Sequence, residues 1–282
     1  MMFVLLFVIL QPASAQLEQN TSTIWGSTVS PIPVLDQSQC SDTSTSILEQ
    51  YGSALCGDTV NFYCLEISET VLQPEVKTGN TVTTKEKRGM PKWENLFGDT
   101  TEREIVMKIN RTNLRPYKGQ KLAIPRNMVN KSYMDFSPYP FVIDPPGEKL
   151  IIWDPGLLAY GAYDQNGMLG RWGPAAGGKD YCPDIKRGCH TKVGEFRIIR
   201  KEGPNYRSGR YPVGCSGNSC AKMPYASVFQ SQGYAFHSGN VPGANASHGC
   251  VRVFYSDAEW LHEWLAIGTK VIVRPYPSPK KK

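Results

Sequence analysis

The sequence predicts a mainly β protein, and three observations indicate this. Twenty-one prolines and 26 glycines among 282 residues are typical of a chain with short strands and many loops. Asn166-Gly167 is a strong hairpin turn signal between two apolar segments. Near the C-terminus, a short helix over residues 256–266 is delimited at both ends. We therefore expect a loop-rich, mainly β protein with a short helix rather than a helical bundle.

The elements of the C-terminal half follow from local patterns. The predicted strands, in chain order, are residues 149–153, 157–163, 168–172, 191–198 and 269–274. Ser256-Asp-Ala-Glu259 has the spacing of a capping box and begins the helix, which ends at Gly268. The predicted buried face of this helix consists of Trp260, Leu261, Trp264 and Leu265.

The N-terminus has the pattern of an exported protein. Residues 1–10 are almost wholly apolar, and Ala13-Ser14-Ala15 is a cleavage signal, so residues 1–15 predict a secretory signal peptide. The usual basic segment is missing, which leaves an uncleaved N-terminal anchor as an alternative. Residues 16–39, rich in Ser, Thr, Gln and Pro, predict a flexible linker. After cleavage we expect a soluble protein.

The charge pattern gives no sign of nucleic-acid binding. The net charge is +6, and its densest runs are residues 85–88 and the predicted basic tail, residues 278–282. Neither run contains interleaved aromatic side chains. Solvated surface charge, or weak attraction to an anionic polymer such as a cell wall, accounts for both.

One segment contains the elements of nucleophilic catalysis. Ser247-His-Gly-Cys-Val-Arg252 places Cys250 after a glycine and near a second histidine, His237. An imidazole can accept the thiol proton, and backbone amides can stabilise the resulting oxyanion. This motif, with the upstream His-x-Gly at His237, resembles the signature of the L,D-transpeptidases (YkuD-type), bacterial cell-wall enzymes.

The resemblance implies roles for individual residues. Cys250 would be the nucleophile and His237 its base, with the Ser238 carbonyl orienting the imidazole. The Gly249 and Cys250 amides would form the oxyanion hole. Predicted substrate-binding residues are Arg252, His248, Ser247 and Tyr225. His248 has the alternative of a purely structural hydrogen-bonding role. No metal or organic cofactor is expected.

The resemblance also implies the fold and the reaction. Residues 141–277 would form the catalytic domain, of the β-sandwich or barrel-like YkuD type. Its donor would be a peptidoglycan tetrapeptide stem, which loses D-alanine and is transferred to an amine in the periplasm or cell envelope. A hydrolase on the same site, either a carboxypeptidase or an endopeptidase, and a non-catalytic peptidoglycan-binding protein are the alternatives. We expect a monomer.

The remaining seven cysteines predict disulfides in an exported chain. Short loops separate Cys182 from Cys189 and Cys215 from Cys220. Cys56–Cys64 is the third predicted pair, although Cys40 could replace either partner. The alternative is a zinc site formed by the four central cysteines, with His190 adjacent to it in sequence.

A second resemblance lies upstream. Residues 40–88 contain three cysteines and have no assignable fold. In residues 89–128, apolar residues at helical spacing precede Gly119-Gln-Lys-Leu-Ala-Ile-Pro125. This segment resembles the second half of a LysM module, a small βααβ fold that binds glycan. A packing subdomain without a ligand is the alternative.

Overall fold

The chain folds around a nine-stranded sheet, preceded by a small α+β module. This computed structural model describes residues 48, 50–73, 75–78 and 81–278. The predicted signal peptide, the linker and Cys40 lie outside the described residues, as does most of the basic tail. Among the described residues, no helix combines the length and the apolar character that a bilayer crossing requires.

The upstream module contains six strands and two helices. They are β1 (Phe62–Glu66), β2 (Thr70–Gln73), β3 (Val76–Thr78), β4 (Thr81–Thr84), β5 (Lys87–Gly89), α1 (Trp93–Leu96), α2 (Thr100–Ile109) and β6 (Lys121–Pro125). Strand β1 pairs antiparallel with β6, β2 pairs with β5, and β3 pairs with β4. A short 3-10 helix, Gly52–Gly57, precedes β1.

The order of β1, α1, α2 and β6 is strand, helix, helix, strand. The first strand lies at Phe62–Glu66, so the module begins before residue 89, where the sequence placed its start. Two hairpin strand pairs separate β1 from α1, and this insertion hides the pattern in the sequence. Asp99 caps α2 by accepting hydrogen bonds from the Thr101 and Glu102 amides. The resemblance to LysM remains a prediction.

The large sheet contains the other nine strands. They are β7 (Leu150–Asp154), β8 (Ala159–Tyr163), β9 (Leu169–Ala176), β10 (Gly194–Arg197), β11 (Arg200–Lys201), β12 (Ser227–Val228), β13 (Ala235–Ser238), β14 (Val251–Val253) and β15 (Lys270–Val273). Their order in the sheet is β10-β15-β7-β8-β9-β14-β13-β12-β11. The sheet curls into a half-barrel, which confirms the predicted mainly β class.

Strand β7 is buried on both faces of this sheet. Ile151 and Trp153 lie in the core between the sheet and helix α3 (Tyr255–Trp264), whereas Leu150 and Ile152 lie in a second core on the opposite face. Successive side chains of a strand alternate between faces, so an uninterrupted apolar run serves both cores. The sequence prediction for this strand is confirmed.

The predicted hairpin turn is confirmed, whereas the predicted cap of the helix is not. The Asp164 side chain accepts the Asn166 and Met168 amides and closes the turn between β8 and β9. The predicted capping box is wrong: α3 begins at Tyr255 without a side-chain cap. Asp257, inside the predicted box, does not cap the helix. Its side chain is fully buried and forms an ion pair with Lys108 of the upstream module.

The described residues contain three disulfides. They are Cys56–Cys64, Cys182–Cys189 and Cys215–Cys220, which confirms the three predicted pairs. The zinc alternative is therefore wrong, because its four thiols are used in two disulfides. Among the described cysteines, Cys250 alone is free.

The upstream module packs directly against the part of the chain that forms the large sheet. Lys108 of α2 is fully buried, and its Nζ lies 3.0 Å from the Asp257 carboxylate of α3. Arg171 of β9 holds the same carboxylate at 2.8 Å. Tyr133 and Phe136, in the 3-10 helix Tyr133–Phe136, contact apolar cores of both parts. Residues from both parts of the chain thus share one interior.

Candidate active site

The pairing of β13 with β14 brings the predicted nucleophile and base together. These strands are parallel neighbours, with Phe236 opposite Val251 and His237 opposite Arg252. Phe236 and Val251 lie in the core. Because side chains alternate along a strand, His237, Arg252 and the preceding Cys250 lie on the other face.

That face forms one wall of an open cleft of about 870 Å³. Six of the predicted site residues line it: His237, Ser238, Ser247, His248, Cys250 and Arg252. Sequence reasoning therefore identified the centre of the cleft. The remaining walls come from residues 185–189, 206–211, 221–224 and 231–234.

His237 is oriented by the carbonyl of the next residue. Its Nδ1 lies 2.8 Å from the Ser238 oxygen, and a carbonyl can only accept, so Nδ1 carries the proton. Nε2 is then the nitrogen that can take a proton from a thiol. Burial lowers the pKa of His237 to about 4, with a smaller lowering from the charge of Arg252. The resting imidazole is neutral.

Cys250 is a half-buried thiol whose pKa lies above the ordinary value. Burial raises it, while the Ala235 amide and the Arg252 charge lower it by less. The thiol donates to the Gly233 carbonyl at 3.5 Å. The neighbouring His237 imidazole does not lower the pKa of this thiol, because a neutral imidazole provides no positive charge and burial dominates.

The two backbone amides predicted to form the oxyanion hole differ in whether they already donate a hydrogen bond. The Gly249 amide donates to Ser247 Oγ at 2.9 Å and is therefore occupied. The Cys250 amide remains as the candidate donor. Gly249 itself has φ +124°, and a Cβ built there would lie 2.3 Å from the Tyr234 ring. Only glycine fits this position without displacing Tyr234.

Ser247 and a threonine hold the loop that precedes Cys250. Ser247 Oγ donates to the Cys250 carbonyl, and buried Thr191 donates to the Gly249 carbonyl at 2.7 Å. The Cys189 sulfur of the Cys182–Cys189 disulfide lies 3.5 Å from the Ser247 carbonyl. Ser247 thus shapes the loop through its own hydrogen bonds, in addition to lining the cleft.

His248 is held by two residues that sequence reasoning did not find. Its Nε2 lies 2.9 Å from both carboxylate oxygens of Asp184, and its ring stacks on Tyr211 with centroids 4.6 Å apart. The hydrogen bond from His248 is the main cause of a lowered pKa at Asp184. Asp184, His248 and the Cys182 sulfur lie close together, but Cys182 is in a disulfide and is not available as a metal ligand. These contacts favour the structural role of His248.

Arg252 lines the cleft beside Cys250. Among the described residues it has no carboxylate partner, and burial lowers its pKa. Its stem packs on Gly239, where a Cβ would lie 3.1 Å from Arg252 Cγ. A half-buried guanidinium without a partner carboxylate is suited to bind an anionic group of a substrate.

Tyr225 does not reach the cleft, contrary to the prediction. Its hydroxyl donates to Glu259 of α3 at 2.7 Å, and its ring packs against the core. The residue has φ +57°, which turns the chain after Pro224. Tyr225 is close to the motif in sequence because it lies in a connection between two strands. The cleft geometry does not support the predicted role of Tyr225 in substrate binding.

The upstream module reaches the same region. Asn113, in the loop after α2, bonds the Gly239 carbonyl and the Val241 amide, both at 2.9 Å. Gly239 follows Ser238 directly. No local pattern in the sequence could have indicated this contact, because Asn113 and Gly239 are 126 positions apart.

A family match agrees with this geometry. Residues 141–273 match the L,D-transpeptidase catalytic domain (YkuD). This chain carries an L,D-transpeptidase catalytic domain. The match lies within the predicted catalytic region and covers both strands that hold His237 and Cys250. No curated protein sequence matches the chain.

Solved L,D-transpeptidases are similar to the chain at low identity. One from Xylanimonas cellulosilytica is 21% identical, with a TM-score of 0.44, over 62% of this chain and 79% of that one. One from Stackebrandtia nassauensis is 22% identical, with a TM-score of 0.39, over 48% and 59%. Mycobacterium tuberculosis L,D-transpeptidase 1 is 23% identical, with a TM-score of 0.35, over 45% and 61%. The family assignment rests on the match over residues 141–273 and describes that domain.

Proposed function

We propose that this L,D-transpeptidase acylates Cys250 with a peptidoglycan tetrapeptide stem, releases D-alanine and transfers the acyl group to an amine. The observation that supports this most strongly is the shared face of β13 and β14. It places the Cys250 thiol and a His237 imidazole of fixed tautomer on one cleft wall.

The first half-reaction begins from a neutral pair. As Cys250 Sγ attacks the carbonyl carbon of the third stem residue, its proton moves to His237 Nε2. The Cys250 amide donates to the developing oxyanion. Collapse breaks the bond to D-alanine, and the His237 proton passes to the departing amine. A thioester on Cys250 remains.

The second half-reaction needs an acceptor. An amine attacks the thioester carbonyl, and its proton moves to His237. The Cys250 thiolate then departs and takes that proton from His237. The amine would belong to a second stem, which gives a cross-link, or to a lysine of an envelope protein. With water as the acceptor, the same site would act as a carboxypeptidase, and this is the second candidate function.

The charges of the cleft support an anionic substrate. Among the described residues, no aspartate or glutamate lines the cleft. Five cationic residues line it: Arg187, Arg200, Arg210, Lys222 and Arg252. A peptide stem carries several carboxylates. Arg252, next to the nucleophile, is placed to bind the carboxylate of the D-alanine that leaves.

Incubation with purified tetrapeptide muropeptides tests the reaction. Mass analysis should show dimers that have lost one D-alanine, whereas trimmed monomers alone would indicate the carboxypeptidase. Cys250→Ala should give neither product and retain the thermal transition of the wild type. Turnover by Cys250→Ala, or no product from the wild type, would contradict the assignment and favour a non-catalytic binding protein.

Export to the periplasm or cell envelope is part of the same proposal. Three disulfides suit an oxidising compartment, as does the predicted signal peptide. Sequencing the N-terminus of the protein recovered from the envelope fraction tests it. A mature N-terminus at Gln16 would support cleavage, and retention of Met1 would support the anchor.

Glycan binding by the upstream module also remains a proposal. The order of β1, α1, α2 and β6 supports it, and an open pocket of about 390 Å³ lies beside Tyr51, Tyr117 and Gln120. Pelleting of Cys250→Ala with intact sacculi tests it. Tyr117→Ala should reduce pelleting, and equal pelleting would argue for a packing subdomain.

A further inference from the structure

The cleft around Cys250 is lined by more positive charges than the transfer reaction alone requires. Two of its arginines, Arg187 and Arg210, come from separate loops and have no carboxylate partner among the described residues. Both line the cleft together with Tyr234 and Cys250, so the two loops meet beside the nucleophile.

Both loops are held in place by the fold. Arg187 lies in the loop closed by the Cys182–Cys189 disulfide, and its carbonyl accepts the Cys182 amide at 2.9 Å. Arg210 lies in a long excursion whose arms pair through Ser208 and Ala221. The neighbour of Arg210, Tyr211, stacks on His248. The backbones that carry the two exposed arginine side chains are thus held beside the cleft.

We propose that Arg187 and Arg210 make the enzyme selective for donor stems whose side carboxylates are free rather than amidated. This inference rests on the proposed function and names its substrate class more narrowly. Arg252 would bind the terminal carboxylate beside the reacting bond. Arg187 and Arg210 would bind carboxylates further along the stem, where an amide would bring no charge. Charge-assisted hydrogen bonds to guanidinium are stronger than neutral ones.

A comparison of two donors tests the selectivity. The wild type is given a tetrapeptide stem with free side carboxylates and the same stem with these converted to carboxamides. We expect kcat/KM to be about tenfold higher for the free acid, because about 1.4 kcal/mol of interaction gives a factor of ten. The ratio should shrink as salt is raised, since exposed charges are screened.

Variants assign the selectivity to the two residues. In Arg187→Gln with Arg210→Gln, the ratio should approach one, mainly through a lower kcat/KM for the free acid. Lys192→Gln removes an exposed charge outside the cleft and should keep the wild-type ratio. Equal rates for both donors in the wild type, or an unchanged ratio in the double variant, would overturn the proposal. No product from either donor would instead contradict the proposed function.

A second feature, independent of the cleft charges, concerns the segment after His237. Asn113 of the upstream module bonds Gly239 and Val241 through its side chain, and its own amide donates to the Val241 carbonyl at 3.1 Å. Thr112, which precedes Asn113, forms an isolated antiparallel β-bridge with Pro242. The chain that leaves Ser238, whose carbonyl orients His237, is thus held from outside the catalytic domain.

We infer that Asn113 is a positioning residue for the catalytic histidine, so that the upstream module completes the active site. Asn110 provides a matched control. The Asn113 side chain makes two hydrogen bonds and the Asn110 side chain makes three, but all three of the latter lie within the module, to Val106 and Ala123. Loss of Asn110 should therefore affect stability, and loss of Asn113 should affect the reaction.

Steady-state kinetics and thermal unfolding of the two variants test this second proposal. Asn113→Ala should lower kcat by about tenfold or more, with KM nearly unchanged, because small misplacement of a reacting group is costly. Asn113→Asp keeps the acceptor for Val241 and should recover part of kcat. Asn110→Ala should lower the melting temperature and keep the kcat of the wild type. Wild-type kcat in Asn113→Ala, or an equal loss of kcat in Asn110→Ala, would overturn it.

Discussion

Replacement of Lys108 by methionine tests how firmly the upstream module is joined to the transpeptidase domain. The Lys108 ammonium lies 3.0 and 3.3 Å from the two Asp257 oxygens and 3.3 Å from the Trp172 carbonyl. It also lies 3.9 Å from the centre of the Tyr133 ring. Lys108 and Asp257 both have fully buried side chains.

The expected loss follows from what the substitution leaves behind. Two opposite charges 3 Å apart interact by about 5 kcal/mol at an effective dielectric constant of 20. Breaking a buried pair typically costs about 3–5 kcal/mol, because the remaining charge stays buried. Arg171 still binds Asp257 after the substitution, at 2.8 Å. We therefore expect the lower value, about 3 kcal/mol.

Urea unfolding followed by fluorescence measures this loss. Lys108→Met should shift the midpoint to lower urea, whereas Lys118→Met, an exposed lysine of the same module, should not. A double-mutant cycle with Asp257→Asn should show coupling between the two positions. A loss below about 1 kcal/mol, or additive effects in the cycle, would refute the view that this pair joins the two parts.

Three further outcomes are expected. A protein that begins near Lys131 should be insoluble, or inactive even on small muropeptides, because it lacks Lys108, the partner of buried Asp257 from the upstream module; full activity of this truncated protein in solution would contradict this. The kcat/KM of the whole protein should fall at acid pH with a midpoint near pH 4, because protonation of His237, whose pKa is about 4, removes the base. A midpoint near 6.5 in a pH–rate profile would show that burial does not lower the pKa of His237. Gly249→Ala should lower kcat by about 100-fold, because its Cβ would displace Tyr234 and with it the loop at Cys250; Gly203→Ala, in open space, is the control, and similar rates for the two variants would exclude this explanation.

The sequence predicted the centre of the site because the information there is local. Cys250, His237 and the Ser238 carbonyl lie within one short segment, and one pair of parallel strands brings them together. The hairpin turn at Asp164 and the three disulfides were predictable for the same reason, since each depends on residues close in sequence.

Contacts between distant residues were not predictable. Asp257 looked like part of a capping box, but its environment is set by Lys108, 149 positions away. The first strand of the upstream module was missed because an inserted hairpin separates it from α1. Tyr225 lies between two predicted segments, and only the fold shows that its ring faces helix α3. In each case the deciding partner lies far along the chain.

The neutral state of Cys250 and His237 has a consequence for the chemical survival of the protein. Three disulfides accompany one free thiol among the described residues, and a thiolate would attack them and exchange partners. A protonated thiol reacts slowly in such exchange and in oxidation to sulfenic acid. Because the proton leaves only as an acyl donor is attacked, the nucleophile resists these side reactions while the cleft is empty.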